Sequence, residues 1–177
     1  GVIQGGAEID LRERCARELV AIGFDGYGFG ARPVDREGNF LGEVLEKTAS
    51  FIPDGSLRFA LGIGTPEDIM RCAKLGWDMF DCVIPTREGR HGRLFSFTPA
   101  WRKRVININN AKFGTDFRSI AADSAIASLR SHGRAYLHRL FRLNEGLGQK
   151  LASLHNLEQY QRLLAAMRKP GFPKRTG

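Results

Sequence analysis

The sequence predicts an α/β fold in which parallel strands alternate with helices, the pattern of half an eight-stranded barrel or of a small open sheet. Three observations carry this. Short apolar runs recur between amphipathic stretches in the order β-α-β-α-β-α-β. Each stretch between strands is a dozen or more residues long, as parallel crossovers need. Gly-rich or acidic residues close each strand at its C-terminal end.

The elements follow in order. Residues 1–6 open as a short apolar strand and end in Gly5-Gly6. Residues 7–22 read as a helix with Ile9, Cys15, Ala16, Leu19 and Val20 on one face, stopped by Gly23. Residues 25–30 are a strand, 31–39 a polar loop, and 40–51 a second helix ended by Pro53-Asp54-Gly55. Residues 57–64 form the next strand. Thr65-Pro66-Glu67-Asp68 then starts a helix, with Thr65 as N-cap, Pro66 at the first helical position and acids in the first turn. That helix ends at Gly76, and residues 77–83 form a fourth buried strand followed by a polar Pro/Thr/Arg/Gly loop. Beyond it, 94–97 and 105–108 read as a hairpin around the basic Arg102, Lys103 and Arg104. Residues 133–168 are mostly helical with a break near Leu154-His155-Asn156, and the basic residues 169–177 read as a flexible tail.

The chain has 177 residues, 42% hydrophobic and 26% charged, a globular composition with room for one ordinary domain. No apolar run approaches a membrane span, a secretory signal is not expected, and the opening Gly1-Val2-Ile3 reads as the start of an excised piece. Three cysteines without a CxxC suit a reducing, cytoplasmic setting. The formal charge of +8 is unevenly spread. Through Asp78 acids outnumber bases thirteen to nine; from Asp81 bases outnumber acids eighteen to six. A polyanion-facing surface needs such an asymmetry, and a well-solvated surface with a basic tail would also produce it.

Strand ends carry the chemistry if the sheet is part of a barrel. Asp81, in Asp78-Met79-Phe80-Asp81-Cys82-Val83-Ile84-Pro85-Thr86-Arg87, shares a strand face with Met79, opposite Phe80 and Cys82. A carboxylate in that place can attack an anomeric carbon, or it can cap the following loop. Asp78, at the strand's start, reads as structural. Arg87, Arg90 and Arg93, with His91, form a basic loop suited to phosphate oxygens or simply to solvent. His155 reads as a partly buried core histidine. A zinc site there would need further soft ligands, and no cysteine follows Cys82. The glycine motifs do not follow GxGxxG, so a dinucleotide site is not expected.

Several phrases together resemble the tRNA-guanine transglycosylases (queuine tRNA-ribosyltransferases). They are Val2-Ile3-Gln4-Gly5-Gly6, Ile22-Gly23-Phe24-Asp25-Gly26-Tyr27, Leu61-Gly62-Ile63-Gly64-Thr65-Pro66-Glu67-Asp68, the Asp78 to Arg87 stretch, Arg134-Ala135-Tyr136-Leu137-His138 and Leu154-His155-Asn156-Leu157. The resemblance implies the C-terminal half of a TIM (β/α)8 barrel over residues 1–168, with a small β-hairpin, C-terminal helices and a degenerate zinc-insertion region near 116–157. It implies exchange of guanine for a 7-deazaguanine at the anticodon wobble position of tRNA, through a covalent ribosyl-aspartate. On that resemblance Asp81 is the nucleophile. Gln4, Gly5, Gly30, Ala31, Arg32, Leu61 and Gly62 bind the base, Arg87, Arg90 and Arg93 bind tRNA, and His155 is the remnant zinc-ligand position.

Three departures from the family pattern are visible. Gly30-Ala31-Arg32 stands where the family has Gly-Gly-Leu, which bears on base choice. Ser124-Ala125-Ile126-Ala127-Ser128-Leu129 stands where the family has CxCxxC, so no zinc is expected and Ile126 and Leu129 are expected to pack in its place. The acids that the family uses as general base and against the purine edge lie upstream of the residue 1–6 phrase, so the chain is expected to be the C-terminal half of a larger protein, or half of an assembly with a partner; the resemblance also implies a homodimer. A divergent DNA-modifying paralogue and a non-catalytic tRNA-binding subunit are the alternative readings. A membrane partner is not expected.

Overall fold

In the computed structural model, residues 1–98 and 102–169 are described. They divide into two compact units, Gly1–Cys82 and Val83–Lys169. The predicted tail beyond Lys169 lies outside the described residues.

The first unit is a four-stranded parallel sheet in the order β1 (Val2–Ile3), β2 (Gly26–Phe29), β3 (Leu57–Ala60), β4 (Met79–Phe80). The register pairs Ile3 with Phe29, Gly28 with Phe59 and Ala60 with Phe80. Helices α1 (Ile9–Ile22), α2 (Gly42–Ser50) and α3 (Pro66–Lys74) form the crossovers. Strands in chain order, each separated by a helix, are the arrangement of part of a (β/α)8 barrel. The predicted elements are all present, with strands shorter than the apolar runs. The core gathers Ile3, Phe29, Leu45, Ile63, Ile69, Cys72 and Trp77, with Trp77 edge-on to Phe29 at 5.8 Å and donating to the Leu45 carbonyl.

Local chemistry sets the helix ends. Thr65 Oγ accepts from the Asp68 N–H at 3.1 Å and donates to the Asp68 carboxylate, the cap expected from sequence. At the C-terminal end of α2, the Arg58 guanidinium donates to the carbonyls of Ala49 and Ile52, where the helix leaves acceptors unsatisfied. Asp78 closes the β3–β4 start. Its carboxylate accepts from the Arg58 N–H and its own N–H donates to the Arg58 carbonyl.

The second unit contains α4 (Ile84–Arg90), the antiparallel hairpin β5 (Arg93–Phe97) and β6 (Lys103–Asn107), a short 3-10 helix (Ala111–Thr115), α5 (Ala127–Ser131), α6 (Arg134–Arg142) and α7 (Gly146–Met167). Leu94, Ile108, Phe113, Ile120, Leu129, Leu137, Leu140 and Leu151 make its core. An ion cluster holds the segment before α6. Asp116 accepts two hydrogen bonds from the Arg118 guanidinium and one from Arg134. Arg118 and then Arg134 hold the Asp116 carboxyl well below the usual carboxylate range.

Four expectations are corrected here. The Pro/Thr/Arg/Gly stretch after β4 is the helix α4, not a loop: Pro85 occupies the first turn, and Gly89 sits where α4 meets α7. A Cβ at Gly89 would lie 2.8 Å from the Ser153 backbone, so only glycine permits that approach. Strand β4 ends at Phe80, so the face alternation drawn through Asp81 and Cys82 does not apply. The break in the C-terminal helices falls at residues 143–145, where Asn144 takes a positive φ of 54°, and α7 runs unbroken through His155 and Asn156. Lys103 and Arg104, expected in the hairpin connection, lie in β6.

Candidate active site

At the C-terminal edge of the parallel sheet, β1 and β2 end together. The Gly30 N–H donates to the Ile3 carbonyl at 2.9 Å. The Gln4 side chain lies against Gly30, and a Cβ there would also fall 2.8 Å from the Ile3 backbone carbonyl, which cannot swing aside and so accounts for glycine at this position. Ala31 is half-buried, and Arg32 beside it is exposed.

Beneath the Gln4-Gly5-Gly6 turn lies a residue the sequence reading passed over. Arg12 of α1 is fully buried. Its Nε donates to the Gly6 carbonyl at 2.7 Å, a terminal nitrogen reaches the Ile3 carbonyl at 3.4 Å, and the guanidinium lies 4.0 Å from the Phe29 ring centroid. Burial lowers its pKa from arginine's ordinary value. Arg12 therefore braces both strand ends that carry the candidate base-binding residues. Its only sequence signal was a charge on a helix otherwise turned inward by Ala16.

The ends of β3 and β4 are joined by the acid singled out from sequence. Asp81 is exposed just after β4, and its Oδ1 accepts from the Gly62 N–H at 2.8 Å. Its Oδ2 accepts no hydrogen bond among the described residues. A carboxylate with one oxygen anchored on the backbone and the other open is oriented without being consumed, which is the condition for nucleophilic work. The structure thus brings Asp81 to Gly62, with Leu61 beside it in the chain, and Gln4 to Gly30.

The three arginines belong to the second unit and differ from one another. Arg87 and Arg90 stand three residues apart on α4, hence on one helix face, and both are exposed. Arg93 opens β5 and pairs with Glu88 at 2.7 Å, while Arg87 lies 3.8 Å from the same carboxylate. Arg90 has no ion pair among the described residues.

His155 is buried on α7. Its Nε2 and the Asn156 side chain grip one residue of β5: Nε2 lies 2.7 Å from the Phe95 carbonyl, and Asn156 Oδ1 accepts from the Phe95 N–H at 2.8 Å. Burial, opposed by the Phe95 carbonyl, lowers the imidazole pKa. Nδ1 is buried without a partner. The residues at the positions that the resemblance aligns with metal ligands do not suit zinc. Ser124 already donates to Glu158, Ile126 and Leu129 offer no donor atom, and no three His, Cys, Asp or Glu side chains converge on a metal position among the described residues. As expected from sequence, Leu129 is fully buried in the core and Ile126 packs against it. No helix among the described residues is long and apolar enough to cross a membrane.

Residues 1–170 match the family described as queuine tRNA-ribosyltransferase. The chain is similar to a queuine tRNA-ribosyltransferase of Gluconacetobacter diazotrophicus, 41% identical over 168 residues that cover 95% of this chain and 42% of that protein. It is equally similar to one of Hamiltonella defensa subsp. Acyrthosiphon pisum, 41% identical over 175 residues that cover 99% of this chain and 46% of that protein. It thus spans less than half the length of these curated relatives. With its parallel βα sheet and a carboxylate at the end of β4, the chain belongs to the queuine tRNA-ribosyltransferase family.

Proposed function

We propose that the protein containing this chain is a pentosyltransferase that exchanges guanine for a 7-deazaguanine at the wobble position of tRNA, with Asp81 as nucleophile. The observation that supports it is the Asp81 carboxylate itself, exposed at a strand end with Oδ1 held by the Gly62 N–H and Oδ2 open.

In the first step Oδ2 attacks ribose C1′, and the C1′–N9 bond breaks with its electron pair leaving on guanine. That pair takes a proton from an acid in the part of the relatives' length that this chain does not span. In the second step the incoming 7-deazaguanine gives the proton on its corresponding nitrogen to that same group, now a base, attacks C1′ and expels the Asp81 carboxylate. Two displacements give net retention. Gln4, Gly5, Gly30, Ala31, Arg32, Leu61 and Gly62 supply the base-facing surface. Arg87 and Arg90 take phosphate oxygens from one face of α4, with Arg93 held beside them through Glu88. A cytoplasmic setting goes with tRNA as the acceptor.

The test is exchange of labelled guanine into tRNA and into duplex DNA by the full-length protein and its Asp81→Asn variant. Exchange into tRNA, lost by about 1,000-fold or more in the variant, supports the proposal. Exchange confined to DNA, or undiminished in the variant, overturns it.

A further inference from the structure

The place where the family resemblance puts a thiolate-bound metal is occupied here by a closed set of polar contacts. Ser124, itself buried, donates through Oγ to Glu158 Oε2 at 2.5 Å and accepts from the Ile126 N–H at 3.0 Å. The other carboxylate oxygen of Glu158 accepts from the Ala125 N–H at 2.6 Å and from Arg162 at 3.3 Å. Arg162 also donates to both the carboxylate and the carbonyl of Asp123. Arg130 closes the segment on itself by donating to the Ser124 carbonyl at 2.6 Å. Beside these contacts Leu129 enters the core, with Ile126 packed against it.

His155, Glu158 and Arg162 are spaced i, i+3 and i+7, so they follow one face of α7. On that face the imidazole holds the Phe95 carbonyl through Nε2, while its Nδ1 is buried and unpartnered, as a ligand atom without its metal would be. The next two turns carry the carboxylate and guanidinium that hold the segment 123–125.

We infer that Glu158 and Arg162 form a clasp that, with the Leu129 plug, does the work of the lost metal. It fastens the 121–131 segment to α7, so this unit folds without zinc. A metal joins a loop to a helix by bonds from several ligands to one ion. Here a charge-assisted network reaches three consecutive residues of the loop from two residues of one helix, and an apolar side chain fills the volume. The inference stands apart from the proposed catalytic reaction and survives if that reading fails.

The experiment uses the full-length protein. Zinc content and thermal unfolding are measured before and after treatment with 1,10-phenanthroline, and hydrogen exchange is followed by mass spectrometry in the Glu158→Leu/Arg162→Leu variant. The expected results are well under one zinc per chain, a melting temperature unmoved by chelator, and exchange in the 121–131 peptide about tenfold faster, with α4 and β5 peptides still protected. If the double variant does not fold, Asp123→Asn, which alters one exposed arm of the clasp, is expected to quicken the same peptide by a smaller factor. One zinc per chain whose removal lowers the melting temperature overturns the inference, as does an unchanged 121–131 peptide in a folded variant.

Discussion

Replacing Asn156 with alanine is expected to destabilise the second unit by about 3 kcal/mol. Asn156 is fully buried in the middle of α7. Its Oδ1 accepts from the Phe95 N–H at 2.8 Å, and its Nδ2 donates to the carbonyls of Pro85 at 2.9 Å and Arg93 at 2.8 Å. One side chain therefore binds α7 to both α4 and β5. Alanine strands the Phe95 N–H, which has a single hydrogen to give, at about 1–3 kcal/mol; the two carbonyls, each with a second lone pair, lose about 0.5–1 kcal/mol apiece. The sum, near 3 kcal/mol, is a factor of about 150 in the unfolding equilibrium. With a urea slope of about 2 kcal/mol per molar, it moves the midpoint down by about 1.5 M. Hydrogen exchange gives the local readout: the β5 peptide containing Phe95 loses protection before the parallel sheet does. A midpoint shift below about 0.5 M with Phe95 exchange unchanged would refute the reasoning.

The remaining predictions rest on other features. Asp116→Asn lowers stability at neutral pH. Because the folded carboxyl lies below its unfolded value of about 3.9, the parent's advantage is complete above that value and shrinks as pH falls, so parent and variant converge in acid denaturation curves. Cys72 is fully buried and its thiol is pushed up to about 12 by burial and then by Asp68, so it should be the last of the three thiols to react with a disulfide reagent, at a rate set by unfolding. Replacing Arg87 and Arg90 together by alanine should flatten the salt dependence of tRNA binding by about one to two units of logarithmic slope; an unchanged slope would make them ordinary surface arginines.

What sequence could reveal here depended on the reach of the forces involved. The βα alternation, the Thr65 cap and the hairpin are written in neighbouring residues, and they were legible. Helix α4 was not, because Pro85 and Gly89 are turn signals in isolation; Gly89 is small for the sake of Ser153, sixty-four positions away in the chain. The expected break at Leu154-His155-Asn156 falls inside α7, because the polar His155 and Asn156 find their partners on β5, some sixty residues upstream. At the candidate site, the strand-end position of Asp81 followed from pattern, but its anchor on the Gly62 N–H did not. Arg12 and the Glu158–Arg162 clasp escaped notice for the same reason: a charged helical residue reads as solvated until the fold supplies carbonyls or a carboxylate beside it.

The most direct test of the central claim is peptide mass spectrometry of the full-length protein denatured during turnover with tRNA. The account predicts a ribosyl adduct on the peptide containing Asp81, abolished in Asp81→Ala. An adduct on any other residue, or one that persists in the variant, would contradict it.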